Sequence, residues 1–398
     1  MTERLYEDNA YEVAFSAEVI SVTPVKDGAE VVLSRTCFFP EEGGQSADRG
    51  TLMGFPVIDV QIRDGVITHT VGAVDTCDAF RVGETVTGQI DWEFRFRNMQ
   101  MHSAEHICSG LVHSHFGFAN VGFHLSENSA TMDYNGELTK EQVEAVETEV
   151  NRIIVEGRRI KAWYPSPEEL KTLPYRSKKE LTGPVRIVEI EGTDLCACCA
   201  THVRSTSEIG IFKVVSSERY KGGTRLHYLA GFRALSYFRE CMAFLGEAGQ
   251  ILSAKQTDIV PAIRSLSNEV KELRFRLGSM ERELADAAIE RYFKKCGGED
   301  GKKLAADAVV FLSGDASVAR HALDRMEELF DGTCALFIGQ DGSYRYFLER
   351  QGGTVTEIGN ALKEQLSARG GGKPFSVSGS VQATEEEIRR VLSGFGMN

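Results

Sequence analysis

The chain has 398 residues, of which 42% are hydrophobic and 26% charged, and a formal net charge of −13. Such a length predicts roughly two to four domains with ample packed core, and the composition excludes collagen-like, mucin-like and wholly disordered classes. The acidic balance excludes a generic basic coat for nucleic acid. No apolar run approaches a membrane span, and MTERLYEDNAYE lacks the basic start and apolar stretch of a secretory signal, so a cytoplasmic location with no membrane partner is expected.

Residues 1–93 read as β-rich. YEVAFSAEVISV, AEVVLSRTCFF, GVITHTV and ETVTGQID alternate apolar and polar residues between Gly, Asp and Pro turns, which predicts a small barrel or sandwich. From Phe94 the period changes. MQMHSAEHICSGLVHSHFG suits a helix with Met99, His102, His106 and Leu111 roughly on one side. Strand-like GFHLSENSATMDY, an amphipathic helix KEQVEAVETEVNRIIVEG and the strands PVRIVEIEG, IGIFKVVSSERY and TRLHYLAG complete an α+β region over 94–235. Within 236–296, Ile259, Ile263, Leu266, Val270, Leu273, Leu277, Met280 and Leu284 form a heptad seam of alternating steps of four and three. That pattern predicts a long helix whose stripe is buried against a partner, a homodimer being favoured over packing on the chain's own domains. Residues 297–398 read as an α/β domain, with strands DAVVFLSG, CALFIGQ and YRYFLER and helices VARHALDRMEELF, VTEIGNALKEQLSA and TEEEIRRVLSGF. The fold class is multidomain α+β.

Three segments carry chemistry. In His102-Ser103-Ala104-Glu105-His106 the imidazoles stand four residues apart, so on a helix both reach one ion. In Cys198-Cys199-Ala200-Thr201-His202 a thiol and an imidazole repeat that spacing. His102, His106, Cys198 and His202 make a borderline-soft donor set that favours zinc, one ion per chain. Cys196 and Cys199 also form a CxxC, readable as a redox pair, although the flanking sequence is unlike a thioredoxin site. Cys198 is the preferred ligand because its distance to His202 mirrors that between the two histidines. The third segment is Gly43-Gly44-Gln45-Ser46-Ala47-Asp48-Arg49-Gly50. By itself it is a hairpin turn, with glycines that admit a ligand to the backbone and an amide, Gln45, that both donates and accepts.

The order GGQxxDxG, then HxxxH, then CxxxHV followed by STSEIGIFKV resembles the editing domain of alanyl-tRNA synthetases. It is still more similar to the free-standing alanyl-tRNA editing proteins of the AlaX family. The fourth region, with Gly370-Gly371-Gly372-Lys373 after a helix, is similar to the DHHA1 domain that ends the synthetases and the long editing proteins. The resemblance implies an N-terminal β-barrel with the GGQ motif (1–93), a zinc-binding editing domain (94–235), a coiled-coil linker (236–296) and a DHHA1-like domain (297–398). It implies ATP-independent hydrolysis of mischarged Ser-tRNA-Ala, with Gly-tRNA-Ala as a second candidate substrate, and no aminoacylation. It places His102, His106, Cys198 and His202 on zinc and Gln45 near the reacting ester. Two departures from the family stand out. Glu105 replaces a common Thr, and Ala200 occupies a glycine position of the usual CGGTH.

Two roles are open to Glu105: general base beside the metal, or a solvated helix residue. Gly43, Gly44 and Asp48 are candidate substrate contacts. Residues 152–186 carry nine Lys/Arg against four Glu, which marks a candidate phosphate-facing surface including Arg158, Arg159, Lys178 and Lys179, with Arg225 nearby. Gly370–Lys373 is read as a loop offering N–H groups and one cation to tRNA. It is not a P-loop, since Pro374 stands where Ser/Thr is required. Two rivals remain: an inverse zincin, in which Glu105 of HxxEH is the base and a downstream carboxylate the third ligand, and a non-catalytic zinc-stapled tRNA-binding module.

Overall fold

Alternation closes the N-terminal barrel. Phe15, Ala17 and Val19 point inward from one strand, and Ala29, Val31 and Leu33 from the next, while their neighbours face out. The computed structural model describes residues 1–26, 28–72, 76–126, 130–177 and 183–397. Its strands β1 (Ala14–Val25), β2 (Gly28–Leu33), β3 (Gly50–Leu52), β4 (Phe55–Arg63), β5 (Val66–Gly72) and β6 (Thr85–Ile90) close in the order β1-β2-β5-β4-β3-β6. His69 is buried inside, its ring between the Thr36 hydroxyl (2.8 Å) and the Val31 carbonyl (3.0 Å).

Helix α1 (Trp92–Phe116) leaves the barrel directly. Asp91 caps it by accepting from the Phe94 N–H, and Gly117 ends it in the left-handed region. Residues 98–112 of α1 are buried on every side, as expected of a helix at the centre of a domain. Around it lie a four-stranded antiparallel sheet, built from β7 (Asn120–Leu125), β8 (Ala130–Tyr134), β12 (Phe212–Tyr220) and β13 (Gly223–Ala230), and a three-stranded one, built from β9 (Ile160–Trp163), β10 (Ile187–Ile190) and β11 (Asp194–Ala197). Helix α2 (Lys140–Glu156) has a Thr139/Gln142 capping box. It buries Val143, Val146, Val150, Ile153 and Ile154, one face of the 3.6-residue period.

Two compact units result, Met1–Gly246 and Glu247–Asn398. The barrel and the α+β region keep separate cores but share the first unit. An ion pair between them is one reason. Arg95, in the first turn of α1, directs its guanidinium onto both Asp48 oxygens, the Ala10 carbonyl (2.9 Å) and the Cys37 carbonyl. The Phe39 N–H also donates to Asp48 (2.7 Å), and both side chains of the pair are fully buried. Asp48 was expected to meet substrate. Its carboxylate is instead enclosed, and it fixes the 37–48 segment onto α1.

In the second unit, β14 (Ala308–Leu312), β15 (Cys334–Gln340), β16 (Ser343–Glu349), β17 (Arg369–Lys373) and β18 (Ser376–Val381) form a sheet of order β14-β15-β16-β18-β17. Helices α5 (Ala319–Leu329), α6 (Thr356–Leu366) and α7 (Glu385–Ser393) lie where the sequence predicts helices. Gly370–Lys373 is not a loop. It is the exposed edge strand β17, paired with β18. Two further helices, α3 (Gly231–Leu252) and α4 (Ile259–Lys295), occupy the heptad region. The last turns of α4 bury Ala285, Ile289 and Phe293 in the second unit's core, and Ile259 at its start is buried too, but the seam from Ile263 to Leu284 is exposed, from 38% at Val270 to 69% at Leu284. No helix among the described residues is long and apolar enough to cross a membrane.

Removing one partner of a fully buried ion pair strands the other charge, at a cost of about 3–5 kcal/mol. Asp48→Ala should lower urea-unfolding stability by that amount, and adding Arg95→Met should recover part of the loss.

Candidate metal centre and active site

Helix α1 presents His102 and His106 one turn apart, both 2% exposed. The second pair comes from the segment after β11. Arg186 holds that segment in place by donating to the Cys198 carbonyl (3.1 Å) and the Ala200 carbonyl (2.9 Å). Ala200, at the family's glycine position, is buried against the barrel core, and its N–H donates to Cys198 Sγ (3.4 Å). The donor atoms of His102, His106, Cys198 and His202 all lie within 4.8 Å of one another. Cys198 Sγ is 3.6 Å from His102 Nε2 and 3.5 Å from His202 Nε2. A tetrahedral zinc with bonds of about 2.0–2.3 Å sets its donors roughly 3.5 Å apart, so these residues fit the ion.

Each ring is oriented from behind. His102 Nδ1–H donates to Gln45 Oε1 (2.8 Å) and His106 Nδ1–H to Asp194 Oδ2 (3.0 Å), and His202 Nδ1 shares a hydrogen bond with Ser103 Oγ (3.1 Å). With Nδ1 engaged behind each ring, the three Nε2 atoms are the ones turned toward a shared metal. The thiol is matched to them. Burial would raise Cys198, but the His102 charge and the bonds from three imidazoles drive it well below its ordinary value. Burial instead pushes Cys196 up to about 11 and raises Cys199 further. Of the three cysteines, Cys198 alone is poised as a thiolate ligand. Burial lowers His202 to about 3, whereas at His106 the bonds to Asp194 and Cys198 outweigh burial and raise it well above its ordinary value. The donors that complete the HxxEH pair are thus a thiol and an imidazole, not the carboxylate an inverse zincin needs.

Gln45 arrives from the barrel. Gly43 and Gly44 sit at φ +63° and +85°, a region open to glycine. A Cβ on Gly44 would lie 2.3 Å from the Phe123 carbonyl. The tight turn lets Leu125 N–H donate to the Gly44 carbonyl (2.7 Å) and Ser46 N–H to the Leu125 carbonyl (3.0 Å), docking the turn on β7. Gln45 is fully buried, and its Nε2 has no hydrogen-bond partner among the described residues; the same holds for Thr201 Oγ1, beside His202. Gln45 bonds His102 and Thr201 precedes His202 in the chain, so both orphaned polar groups belong to side chains next to cluster residues.

Glu105 is not a solvated helix residue. It is 1% exposed; its Oε1 accepts from Ser109 Oγ (2.7 Å) and Asn120 Nδ2 (2.5 Å), and its Oε2 lies 3.8 Å from His106 Nε2. Sequence reasoning missed Ser103, Asn120, Asp194 and Thr201. Ser103 and Thr201 adjoin ligands in the chain, a usable signal, whereas Asn120 and Asp194 carry none.

The basic stretch is largely neutralised. Arg152, Arg158 and Lys161 pair with Glu149, Glu156 and Glu189, and Arg176 and Arg186 turn inward. Arg159 and Lys171 are exposed. Lys178 and Lys179 lie outside the described residues. Arg225 grips Asp133 through two bonds (2.6 and 2.7 Å) and stacks on Tyr220. Lys373 is exposed on β17.

Comparison with known proteins points to aminoacyl-tRNA chemistry. The family model described as the threonyl and alanyl tRNA synthetase second additional domain matches residues 185–227, which include Cys198 and His202. The model for class II (A) tRNA synthetases matches residues 6–94, the barrel segment. The alanyl-tRNA editing protein AlaX-L of Pyrococcus horikoshii is 28% identical over 397 residues, covering 98% of this chain and 96% of that protein. The chain resembles the long free-standing alanyl-tRNA editing proteins over nearly its whole length. The alanine–tRNA ligases of Ignicoccus hospitalis and Archaeoglobus fulgidus are each 28% identical over 98% and 99% of the chain. The chain spans only 42% and 44% of those ligases, whereas it matches AlaX-L end to end.

The purified chain should carry one zinc per chain by atomic absorption. Cys198→Ala should abolish retention through desalting, while Cys196→Ala and Cys199→Ala should keep it.

Proposed function

We propose that the protein is a cytoplasmic, zinc-dependent trans-editing deacylase that hydrolyses mischarged Ser-tRNA-Ala, with Gly-tRNA-Ala a second candidate substrate, and that it does not aminoacylate. The observation that carries this reading is the contact of Gln45 with His102 and of Glu105 with His106 in the three-His, one-Cys cluster, in a chain matched along its length by an alanyl-tRNA editing protein.

A site shaped for alanine cannot strongly reject serine, which adds one hydroxyl, so discrimination needs a second site that bonds that hydroxyl. Thr201 Oγ1, buried and without a partner, supplies it. An alanyl ester leaves Thr201 orphaned and binds less well. Gln45 Oε1 is spent on His102, so its amide nitrogen faces the substrate and donates to the ester carbonyl oxygen as negative charge develops there. Glu105 is held by Ser109 and Asn120 with Oε2 toward the cluster. It takes a proton from the water that attacks the carbonyl and returns it to the departing ribose oxygen, releasing serine and tRNA. A zinc held by His102, His106, Cys198 and His202 would position the acceptor end beside Gln45 and Glu105, and would polarise the carbonyl only where one of the four donors gives up its place.

For the tRNA, Arg159, Lys373 and the exposed backbone of β17 offer phosphate contacts, the last from a DHHA1-like domain. The exposed seam of α4 from Ile263 to Leu284 keeps heptad spacing with every member uncovered, which supports a parallel or antiparallel coiled coil with a second copy.

Three assays check these statements. Ser-tRNA-Ala should be deacylated at least about a hundredfold faster than Ala-tRNA-Ala, and Thr201→Val should erode that ratio. Glu105→Gln should slow hydrolysis by about 10²–10⁴ with zinc content intact, since general-base catalysis is worth that much; an unchanged rate would remove Glu105 from the mechanism. Sedimentation should give a dimer that Leu273→Asp with Leu277→Asp converts to monomer.

A further inference from the structure

The three ring-orienting partners are not equivalent. Gln45 and Ser103 are neutral; Asp194 is a carboxylate with a side chain 2% exposed. Its two oxygens are shared between His106 and Arg176, whose Nε lies 2.7 Å from Oδ1 and whose Nη2 lies 2.8 Å from Oδ2. Arg176 belongs to the basic stretch, yet its side chain is only 15% exposed and points into the protein. Its backbone is tied to the same strand: Arg176 N–H donates to the Leu195 carbonyl (2.8 Å), and Ala197 N–H to the Arg176 carbonyl (2.9 Å). Guanidinium and carboxylate therefore ride on one rigid frame, β11, which leads directly into Cys198.

A glycine shows how closely that frame must approach. Gly110 lies one turn beyond His106 on α1. A Cβ there would sit 2.9 Å from the Thr193 carbonyl oxygen and 3.0 Å from Asp194 Cβ. Glycine inside a helix is less favourable than alanine. At this position the missing methyl is the space through which the Thr193–Asp194 turn reaches His106.

We propose that Arg176, Asp194 and Gly110 form a positioning assembly that sets the metal affinity of the cluster through His106. Arg176 fixes the Asp194 carboxylate in place through two hydrogen bonds, one to each oxygen. The anion fixes the His106 ring with Nε2 toward the other donors and increases its basicity as a ligand. Gly110 holds open the approach. None of the three touches substrate. The inference rests on reading the cluster as a metal site and is independent of which ester the protein cleaves.

The test uses the full chain, stripped of metal and titrated with zinc against a chromophoric chelator, with cobalt(II) as a spectroscopic substitute. Loss of such an outer partner typically weakens metal binding about 10–100-fold. Asp194→Asn should fall in that range and alter the cobalt ligand-field bands. Arg176→Gln should weaken binding in the same direction, and the double variant should be no weaker than Asp194→Asn, because the two act through one bond. Gly110→Ala should weaken zinc although alanine is the better helix former, with far-UV circular dichroism unchanged. Asp194→Asn holding zinc within twofold of wild type, with an identical cobalt spectrum, overturns the proposal. Should Asp194→Asn fail to fold, Arg176→Gln and Gly110→Ala face the same criterion. Wild-type protein that takes up no zinc or cobalt overturns the metal reading, and this inference with it.

Discussion

Three imidazoles and one thiol, from two segments nearly a hundred residues apart, must point their lone pairs at one spot. Everything around the site serves that requirement. Unpaired and buried, such groups are expensive. Here each ring engages its Nδ1 with a partner from a different place: Gln45 from the barrel, Asp194 from the strand before Cys198, and Ser103 from α1 itself. The barrel is thus part of the centre, because the ring of His102 is oriented by a side chain that only the docked GGQ turn can deliver.

That dependence explains the cost accepted elsewhere. A fully buried Asp48–Arg95 pair seldom adds stability over apolar residues of the same size. What it does here is hold the segment on either side of the GGQ turn against the first turn of the helix that carries His102 and His106. The Gly43–Gly44 turn then closes on β7, whose Phe123 packs 4.6 Å from the His102 ring. Loop, helix and strand are fixed together, so donor positions are set by the fold rather than by the ion alone. Such preorganisation is what a metal-holding cluster needs from its supporting shell.

Much of this was legible in the sequence because its signals are local. Four-residue spacing of His102 and His106 on a helix, the repeat of that spacing at Cys198 and His202, and the periodicities of the last hundred residues each need only neighbours in the chain. What was not legible depends on distant partners. Asp48 looked like a loop acid free for substrate, since nothing near it reveals Arg95. Arg176 and Arg186 looked like surface charges, and only the fold turns them inward onto Asp194 and the CCATH segment. Glu105 left two roles open because a helical carboxylate faces solvent or core according to what packs on it. Gly370–Lys373 reads as a loop because three glycines carry no alternation, yet close approach to β18 makes them an edge strand.

The most direct measurement is zinc K-edge X-ray absorption on the full chain as purified. Three nitrogen neighbours and one sulfur in the first shell are the result required by His102, His106, His202 and Cys198. A shell of oxygens only, or of more than one sulfur, would mean that these side chains do not share the ion, and the site described above would not stand.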